Sequence, residues 1–172
     1  QPNLLVGYNR RFSPHITKIK SILSDRIEPI AFNYTINSGE VPNDSWIKNP
    51  TLGGGRIIGE VCHFIDTVAF SAGKPVTKIG AVGQQSHINP KSETTSLNLT
   101  LSDGSIGTIN YFTKGNKSFP KETLEIFCDG KVIRMDNFKT TKGFGFRKFS
   151  KLRTVRQEKG HKNEIKSFFG NA

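Results

Sequence analysis

GGGRIIGEVCHFID, the stretch from Gly53 to Asp66, joins three glycines directly to a segment with helical periodicity that continues to Phe70. At about 100° per residue, its apolar and small side chains fall on one arc, which predicts a helix with a buried face. The side chains of this arc are Ile57, Ile58, Val61, Cys62, Phe64, Ile65, Val68 and Ala69. The opposite side of the predicted helix carries Arg56, Gly59, Glu60, His63, Asp66 and Thr67.

The polar side of this helix places one histidine between two carboxylates. Glu60 and Asp66 are each three residues from His63, so both lie about 60° from it around the helix axis. A neighbouring carboxylate can fix the tautomer of an imidazole and raise its pKa, which suits a general acid or base. The same three residues also fit the ordinary solvated side of an amphipathic helix.

The glycines ahead of the helix suit an anion. Backbone amides at a helix start that no side chain shields can bind a phosphate or carboxylate without a cationic residue. The alternative interpretation is that Gly53, Gly54 and Gly55 only form a turn.

Three stretches of the chain resemble the Gfo/Idh/MocA family of NAD(P)-dependent oxidoreductases. The glycine run followed by His63-x-x-Asp66 is similar to the signature of that family's second domain. GYNRRFSP, from Gly7 to Pro14, resembles the segment in which the family's chain leaves its nucleotide-binding domain. NSGEVPNDSWIKNP, from Asn37 to Pro50, is similar to the segment before the glycines. The resemblance extends from Val6 to Phe169.

This resemblance implies hydride transfer between a nicotinamide and the hydroxyl-bearing carbon of a sugar, polyol or nucleotide sugar, while a base removes the hydroxyl proton. His63 matches the acid/base position. The family commonly has an aspartate four residues earlier, where this chain has Gly59. Glu60 is the adjacent acid and is expected to reach the same space as a second catalytic residue. Asp66 matches the last acid of the motif.

Further site residues are expected around this helix. The candidate substrate contacts are Arg11, Asn37, Trp46, Arg56, Gly59 and Asp66, and the candidate cofactor contacts are Gly53, Gly54 and Gly55. Trp46 fits either the wall of a ligand pocket or a core anchor. Arg56 favours an acidic or phosphorylated substrate, although an exposed solubilising charge is the plainer interpretation.

We interpret residues 1–172 as a single C-terminal substrate-binding and oligomerisation domain, a length that suffices for one core. No G-x-G-x-x-G motif follows a predicted strand, so the N-terminal Rossmann domain of the family is expected to be absent from this chain. The resemblance implies that NAD or NADP binds mainly to that domain, which also holds the family's catalytic lysine. The chain alone is therefore expected to be inactive.

Composition predicts a soluble, cytoplasmic protein. No apolar run approaches the 18 or so residues that cross a bilayer, and no signal pattern opens the chain. Cys62 lies on the predicted buried arc and the only other cysteine is Cys128, so no disulfide is expected. A metal site is not expected either, because Cys62 and His63 point to different faces and the other histidines lack ligand spacing. The other histidines are His15, His87 and His161.

The net charge of +11 raises a second hypothesis, a module that binds nucleic acid or another polyanion. Thr113 to Ala172 holds 15 Lys and Arg against 6 Asp and Glu. In KGFGFRKFSKLRTVR, residues 142–156, aromatic and basic side chains alternate as in some single-strand binders, although an exposed basic strand or loop has the same composition. Nucleic acid is not expected as a partner under the family resemblance.

A third hypothesis is a non-catalytic dimerisation scaffold, in which Gly59 has abolished the chemistry.

The remaining elements follow from local signals. Leu4 to Arg10 is predicted as a strand, and Ser13 as the cap of a helix that starts at Pro14 and ends near Asp25. The other predicted strands are Ile30–Ile36, Val76–Val82, Leu97–Leu101, Ile106–Phe112, Thr123–Cys128 and Lys131–Met135. Asp-Gly pairs close two hairpins of an antiparallel meander. A last helix, His161 to Phe169, is predicted to pack its apolar residues and to expose a surface pair. Its apolar residues are Ile165, Phe168 and Phe169, and the surface pair is His161 and Glu164.

These elements predict an α+β fold, an open-faced and predominantly antiparallel sheet with helices on one face. The resemblance implies the same fold. It also implies self-association through the free sheet face, as a homodimer or tetramer, and a sugar-like small molecule as substrate.

Overall fold

The computed structural model describes residues 4–42, 44–49, 51–84 and 93–170, which form three α-helices and one eight-stranded sheet. The helices are α1 (Pro14–Leu23), α2 (Cys62–Ala72) and α3 (His161–Gly170). The strands are β1 (Ala31–Asn37), β2 (Val76–Gly83), β3 (Thr95–Leu101), β4 (Ile106–Phe112), β5 (Glu122–Cys128), β6 (Lys131–Asp136), β7 (Thr140–Phe144) and β8 (Lys151–Arg153).

The strand order is β2-β3-β4-β1-β5-β6-β7-β8. Strand β1 is parallel to β4 and antiparallel to β5, and the other described neighbours are antiparallel. The predicted open, predominantly antiparallel α+β sheet is therefore confirmed. The prediction of one continuous meander is wrong, because β1 lies between the two hairpins.

One face of the sheet is covered by α1 and α2, and the core lies between these layers. Along β3 every second side chain is buried, as the alternation of leucines predicts. Helix α1 contributes Ile16 and Ile19, and α2 contributes Phe64 and Val68. The Ser13 hydroxyl caps α1 by accepting a hydrogen bond from the His15 amide, and Pro14 occupies the first turn, as predicted.

The segment before α1 differs from the prediction. A strand needs a neighbouring backbone to pair with, and no described strand pairs with Leu4 to Tyr8. The chain instead runs without regular structure into a 3₁₀ helix, Asn9–Phe12, which leads directly to the cap of α1. The predicted strand Leu4 to Arg10 is therefore wrong.

A π-helical turn, Ile57–Val61, precedes α2 and changes the phase of the predicted helix. A π-turn holds about one residue more than an α-turn, so residues ahead of it are rotated relative to those behind it. Ile58 is consequently 71% exposed, whereas Arg56 is only 2% exposed. The predicted buried positions of Ile57 and Ile58 and the predicted exposed position of Arg56 are wrong. Thr67 is also buried rather than polar-facing.

Helix α3 lies against the 3₁₀ helix, where the Asn163 side-chain amide donates to the Phe12 carbonyl. Its orientation is opposite to the prediction, because Ile165 and Phe169 are exposed and Glu164 is buried. The Glu164 Oε1 atom has no hydrogen-bond partner among the described residues. The predicted packing of the apolar face and the predicted surface pair are therefore both wrong.

The free face of the sheet carries a row of apolar side chains, which we call the apolar row. Strand register places its members side by side across five strands. The members are Ile106 on β4, Ala31 on β1, Phe127 on β5, Val132 on β6 and Phe144 on β7. Further along the same face, polar side chains form a ladder in which Asn110 Nδ2 donates to Asn33 Oδ1 over 3.0 Å.

The aromatic residues of the basic stretch 142–156 mostly contact each other and lysines. The rings of Phe146 and Phe149 pack edge to face with centroids 6.4 Å apart. Lys131 lies over the first ring and Lys18 over the second. These two rings are not arranged as open platforms for bases.

Candidate active site

A cavity of about 290 Å³ opens beside the N-terminal turn of α2. Its walls come from the 3₁₀ helix, the π-turn, α2, the start of β5 and the start of α3. The lining residues are Asn9, Arg10, Glu60, His63, Phe64, Lys121, Lys159 and His161. The structure therefore brings together both predicted catalytic residues, His63 and Glu60.

His63 is held in the first turn of α2, where the Thr67 hydroxyl donates to its carbonyl over 2.7 Å. The Tyr8 ring packs edge-on against its imidazole, with centroids 5.6 Å apart. Its Nδ1 atom is buried without a hydrogen-bond partner among the described residues. Nothing described therefore fixes the tautomer through Nδ1.

Burial and, after it, the nearby Arg10 guanidinium lower the pKa of His63 below its ordinary value of 6.5. Asp66, Glu122 and Glu60 oppose this shift but do not reverse it. The expected rise in pKa from the flanking carboxylates is thus not what the structure shows. His63 is neutral at pH 7 and can accept a proton.

Glu60 extends from the π-turn and is anchored at one side of the cavity. Its Oε2 atom accepts a hydrogen bond from the Tyr111 hydroxyl over 2.6 Å, and its Oε1 atom accepts one from Arg56 Nε over 3.4 Å. Burial and Glu60 raise the pKa of Tyr111, so the phenol keeps its proton. A carboxylate has about four acceptor sites, so Glu60 retains capacity for a substrate hydroxyl.

A buried ionic cluster, which we call the Glu122 cluster, lies directly behind the cavity. The Glu122 carboxylate receives two hydrogen bonds of 2.9 Å from Arg10, one of 2.6 Å from Lys159 Nζ and one of 2.7 Å from the Tyr34 hydroxyl. Although burial alone would raise it, Arg10 and Lys159 lower the pKa of Glu122 to about 2. The cluster fixes two cations beside His63.

The sequence prediction did not include the Glu122 cluster, although one signal was present. Glu122 has the same strand parity as Leu124 and Ile126, so it points inward from β5. An inward acid needs a cationic partner, and Arg10 forms a conspicuous Arg-Arg pair with Arg11. Lys159 and His161 gave no comparable signal because they come from the far end of the chain.

Arg11 and Asp66 bind each other instead of facing the cavity. The Arg11 guanidinium donates from Nε and Nη2 to the Asp66 carboxylate, with Nε 2.7 Å from Oδ2. This pair ties the 3₁₀ helix to α2 and thereby sets the position of His63 relative to Arg10. Neither residue lines the cavity.

Arg56 is also placed away from the cavity. Its guanidinium donates to the Gly39 carbonyl over 2.8 Å and to the Ser38 hydroxyl over 2.7 Å, and it lies 5.4 Å from the centre of the Tyr111 ring. These contacts and its burial leave no face of the side chain for a substrate. Its role is to hold Glu60 and the end of β1 in place.

The glycine run forms a compact turn. The amides of Gly53 and Gly54 both donate to the Asn49 carbonyl, over 2.9 and 3.2 Å. The Arg56 amide, at the start of the helix, donates to the Glu93 carboxylate over 3.0 Å. The amides of Gly53, Gly54 and Arg56 are therefore engaged within the chain, and the assignment of cofactor contacts to Gly53, Gly54 and Gly55 stays a prediction.

The other predicted substrate contacts lie apart from the cavity. Trp46, in a 3₁₀ helix Trp46–Lys48, is 65% exposed. Gly59 is exposed in the π-turn, where a Cβ atom would meet the Gly53 carbonyl at 3.4 Å, so the turn has room for a larger residue. Asn37 is buried at the end of β1 and lines a second cavity.

The described ranges hold no cluster of three or more His, Cys, Asp or Glu side chains that could bind a metal ion, and His87 lies outside them. Cys62 and Cys128 are both free. Among the described helices, none has the length and hydropathy needed to cross a membrane.

The GFO/IDH/MocA C-terminal domain model matches residues 26–134, and the chain belongs to this family. The uncharacterized oxidoreductase YrbE of Bacillus subtilis (strain 168) is 30% identical over 146 residues, a match that covers 80% of this chain and 41% of that protein.

Solved structures show the same fold. An oxidoreductase from Thermotoga maritima superposes with a TM-score of 0.76 at 21% identity, over 100% of this chain and 52% of that one. A levoglucosan dehydrogenase in complex with NADH and levoglucosan superposes with a TM-score of 0.68 at 17% identity, over 91% of this chain and 48% of that one. The chain thus spans about half the length of these proteins.

Proposed function

We propose that this chain is the C-terminal substrate-binding and oligomerisation domain of an NAD(P)-dependent oxidoreductase that acts on a hydroxyl-bearing carbon of a sugar, polyol or nucleotide sugar. One observation carries the proposal: a neutral, half-buried His63 and an anchored Glu60 line the same cavity. The family membership supports the reaction class. One structural neighbour is a levoglucosan dehydrogenase in complex with NADH and levoglucosan.

In the proposed reaction, a substrate hydroxyl donates a hydrogen bond to the neutral imidazole of His63, which then accepts its proton. A bound NAD(P)⁺ would supply the hydride acceptor for the same carbon. Glu60 accepts a hydrogen bond from a neighbouring hydroxyl and so orients the ring. The cationic Arg10 beside His63 favours the alkoxide that develops as the proton leaves.

The amides of Gly53, Gly54 and Arg56 already donate within the chain, which favours a main dinucleotide site elsewhere. We therefore propose that another part of the whole protein, an N-terminal Rossmann domain, binds most of NAD or NADP. A cytoplasmic location belongs to the same proposal, and the two free cysteines fit a reducing compartment.

The test uses the full-length protein with NAD or NADP and a panel of sugars, polyols and nucleotide sugars. His63→Ala should lower kcat about a hundredfold or more, the usual contribution of a general base. Because protonation of His63 removes the base, wild-type kcat/KM should fall as pH drops through a pKa below 6.5, and this acid limb should vanish in the variant.

Lys74→Ala, a substitution of an exposed residue just beyond α2, is the matched control and should leave both quantities unchanged. Unchanged turnover in His63→Ala would contradict the assignment. If the wild-type protein shows neither turnover nor cofactor binding, the non-catalytic scaffold becomes the better hypothesis. Salt-dependent nucleic-acid binding would favour the polyanion module.

We also propose that the whole protein forms a homodimer or tetramer through the free sheet face. The apolar row supports this, because Ile106, Phe127 and Phe144 are each about half exposed on that face. An exposed continuous apolar surface of this kind typically marks a protein interface.

A further inference from the structure

A second cavity, of about 670 Å³, adjoins the active-site cavity. It lies at the end of β1, between the β4–β5 connection and the β6–β7 turn. Lys121 lines both cavities, so they lie next to each other at this side chain. The smaller cavity is just below the ~300–1,000 Å³ range of small-molecule sites, whereas the second one lies well within it. A ligand longer than one sugar ring that extends past Lys121 would reach both.

The second cavity is positively charged. Lys117, Lys121 and Lys139 line it, against a single acid, Asp136. The Asp136 carboxylate already accepts hydrogen bonds from Arg134, over 3.3 and 3.4 Å. No described hydrogen bond or ion pair engages the ammonium groups of the three lysines. Three cations thus surround a space large enough for a ligand.

The active-site cavity adds to this charge instead of cancelling it. Arg10 and Lys159 share the single negative charge of Glu122, which leaves one positive charge in excess. Glu60 is matched by Arg56. A neutral substrate would gain little from this field, whereas an anionic one gains from every lysine along its length.

One further group suits a long ligand. Phe119, at the rim of the second cavity, is 60% exposed and offers a flat apolar surface. The buried Asn37 side chain does not add a contact, because its Oδ1 atom packs against Gly115, where a Cβ atom would come within 2.0 Å of it.

We propose that the second cavity binds the phosphate or diphosphate group of a sugar substrate whose reacting hydroxyl lies at His63, with Lys117, Lys121 and Lys139 as the cationic contacts. This inference rests on the proposed function for the position of the reacting carbon. The anion site itself rests on the lysines and the cavity.

The first experiment measures binding of inorganic pyrophosphate to the full-length protein by calorimetry, with and without saturating NADH. The Lys117→Ala/Lys139→Ala double variant should bind at least about tenfold more weakly, because it removes two charge-assisted contacts to the anion. Both side chains are exposed, so the fold should tolerate their loss. The control is Lys74→Ala/Lys78→Ala, which removes two exposed lysines elsewhere and should change the affinity less than about twofold.

The second experiment compares kcat/KM for glucose, glucose 1-phosphate and UDP-glucose. A phosphorylated substrate should be preferred, and the preference should fall about tenfold or more in the lysine double variant but not in the control. Preference for glucose 1-phosphate assigns the site to a monophosphate, and preference for UDP-glucose assigns it to a diphosphate that continues past Phe119.

Unchanged pyrophosphate affinity in the lysine double variant would overturn the inference. So would loss of pyrophosphate binding at saturating NADH, which would assign the site to the cofactor. If pyrophosphate binding depends on the lysines but no hydride transfer occurs, the anion site stands and the proposed function fails. If hydride transfer occurs equally on neutral sugars, the function stands and the anion site fails.

Discussion

Glu122 holds a single negative charge at a fully buried position, and two cations depend on it. Replacing Glu122 with Gln keeps the shape but leaves Arg10 and Lys159 without their counter-ion. Breaking a buried ionic cluster in this way costs about 3–5 kcal/mol of unfolding free energy. Urea denaturation followed by circular dichroism measures this loss.

Glu125→Gln is the matched control, since Glu125 lies on the same strand and pairs with Arg134 at the surface over 3.4 Å. Its cost should stay below about 1 kcal/mol. An equal cost for the two variants would show that the Glu122 cluster does not stabilise the fold.

The same cluster predicts how stability depends on pH. The pKa of Glu122 is lowered from 4.5 to about 2, so its stabilising contribution is complete above pH 4.5 and is lost as pH falls toward 2. The wild-type unfolding free energy should decline more steeply over this interval than that of Glu122→Gln. Parallel declines in the two proteins would contradict the lowered pKa.

At the scale of elements, the glycine turn and the π-turn together set where Glu60 and His63 lie. A Cβ atom on Gly53 would come within 2.6 Å of Ile47 Cα and 2.7 Å of the Trp46 carbonyl oxygen. Gly53→Ala should therefore force the backbone apart and cost about 1–3 kcal/mol. Urea denaturation gives the stability, and turnover of the full-length protein should fall as the helix start moves.

Gly80→Ala provides the comparison, because a Cβ atom at Gly80 meets no heavy atom within 4 Å on the edge strand β2. Its stability should be unchanged or slightly higher, since glycine weakens a strand by roughly 0.5–1 kcal/mol. A stable, active Gly53→Ala protein would show that the turn yields without disturbing the site.

The sequence predicted those elements whose signals are local. The Ser13-Pro14 cap and the Asp-Gly turns depend on residues a few positions apart, and α1 and both hairpins form as expected. The π-turn has no such signal, because a helix with one extra residue per turn uses the same apolar side chains as a regular one. The rotated side chains around Arg56 follow from this single change of phase.

The candidate site shows the same division. His63 and Glu60 lie three residues apart on one segment, so their common cavity was predictable. Arg10, Lys121 and Lys159 reach it from distant parts of the chain, and only the tertiary fold brings them together. The sequence prediction oriented helix α3 wrongly, because an apolar helix face normally predicts burial. In the structure, Gly160 and the 3₁₀ helix instead hold α3 with Glu164 pointing inward.

For the whole molecule, the apolar row predicts how copies associate. Phe127 lies in the middle of the row, between Ala31 and Val132. Phe127→Lys places a charge in the proposed interface and should convert the oligomer of the full-length protein to monomers, as measured by sedimentation velocity.

Ile165→Lys is the matched control, because Ile165 on α3 is similarly exposed, 55% against 46% for Phe127, but lies outside the sheet. It should leave the oligomer intact. If the oligomer persists in Phe127→Lys but dissociates in Ile165→Lys, the interface lies at α3 and not on the sheet face.

The position of β1 between β4 and β5 also has a consequence for how the protein is made. Both strands that flank β1 are translated long after it, the second only at Glu122–Cys128. At about 5–20 residues per second, the ribosome needs several seconds to supply them. Through that interval the alternating apolar side chains of β1 have no neighbouring strand, so the nascent chain presents a binding segment for chaperones well before the cavity at His63 exists.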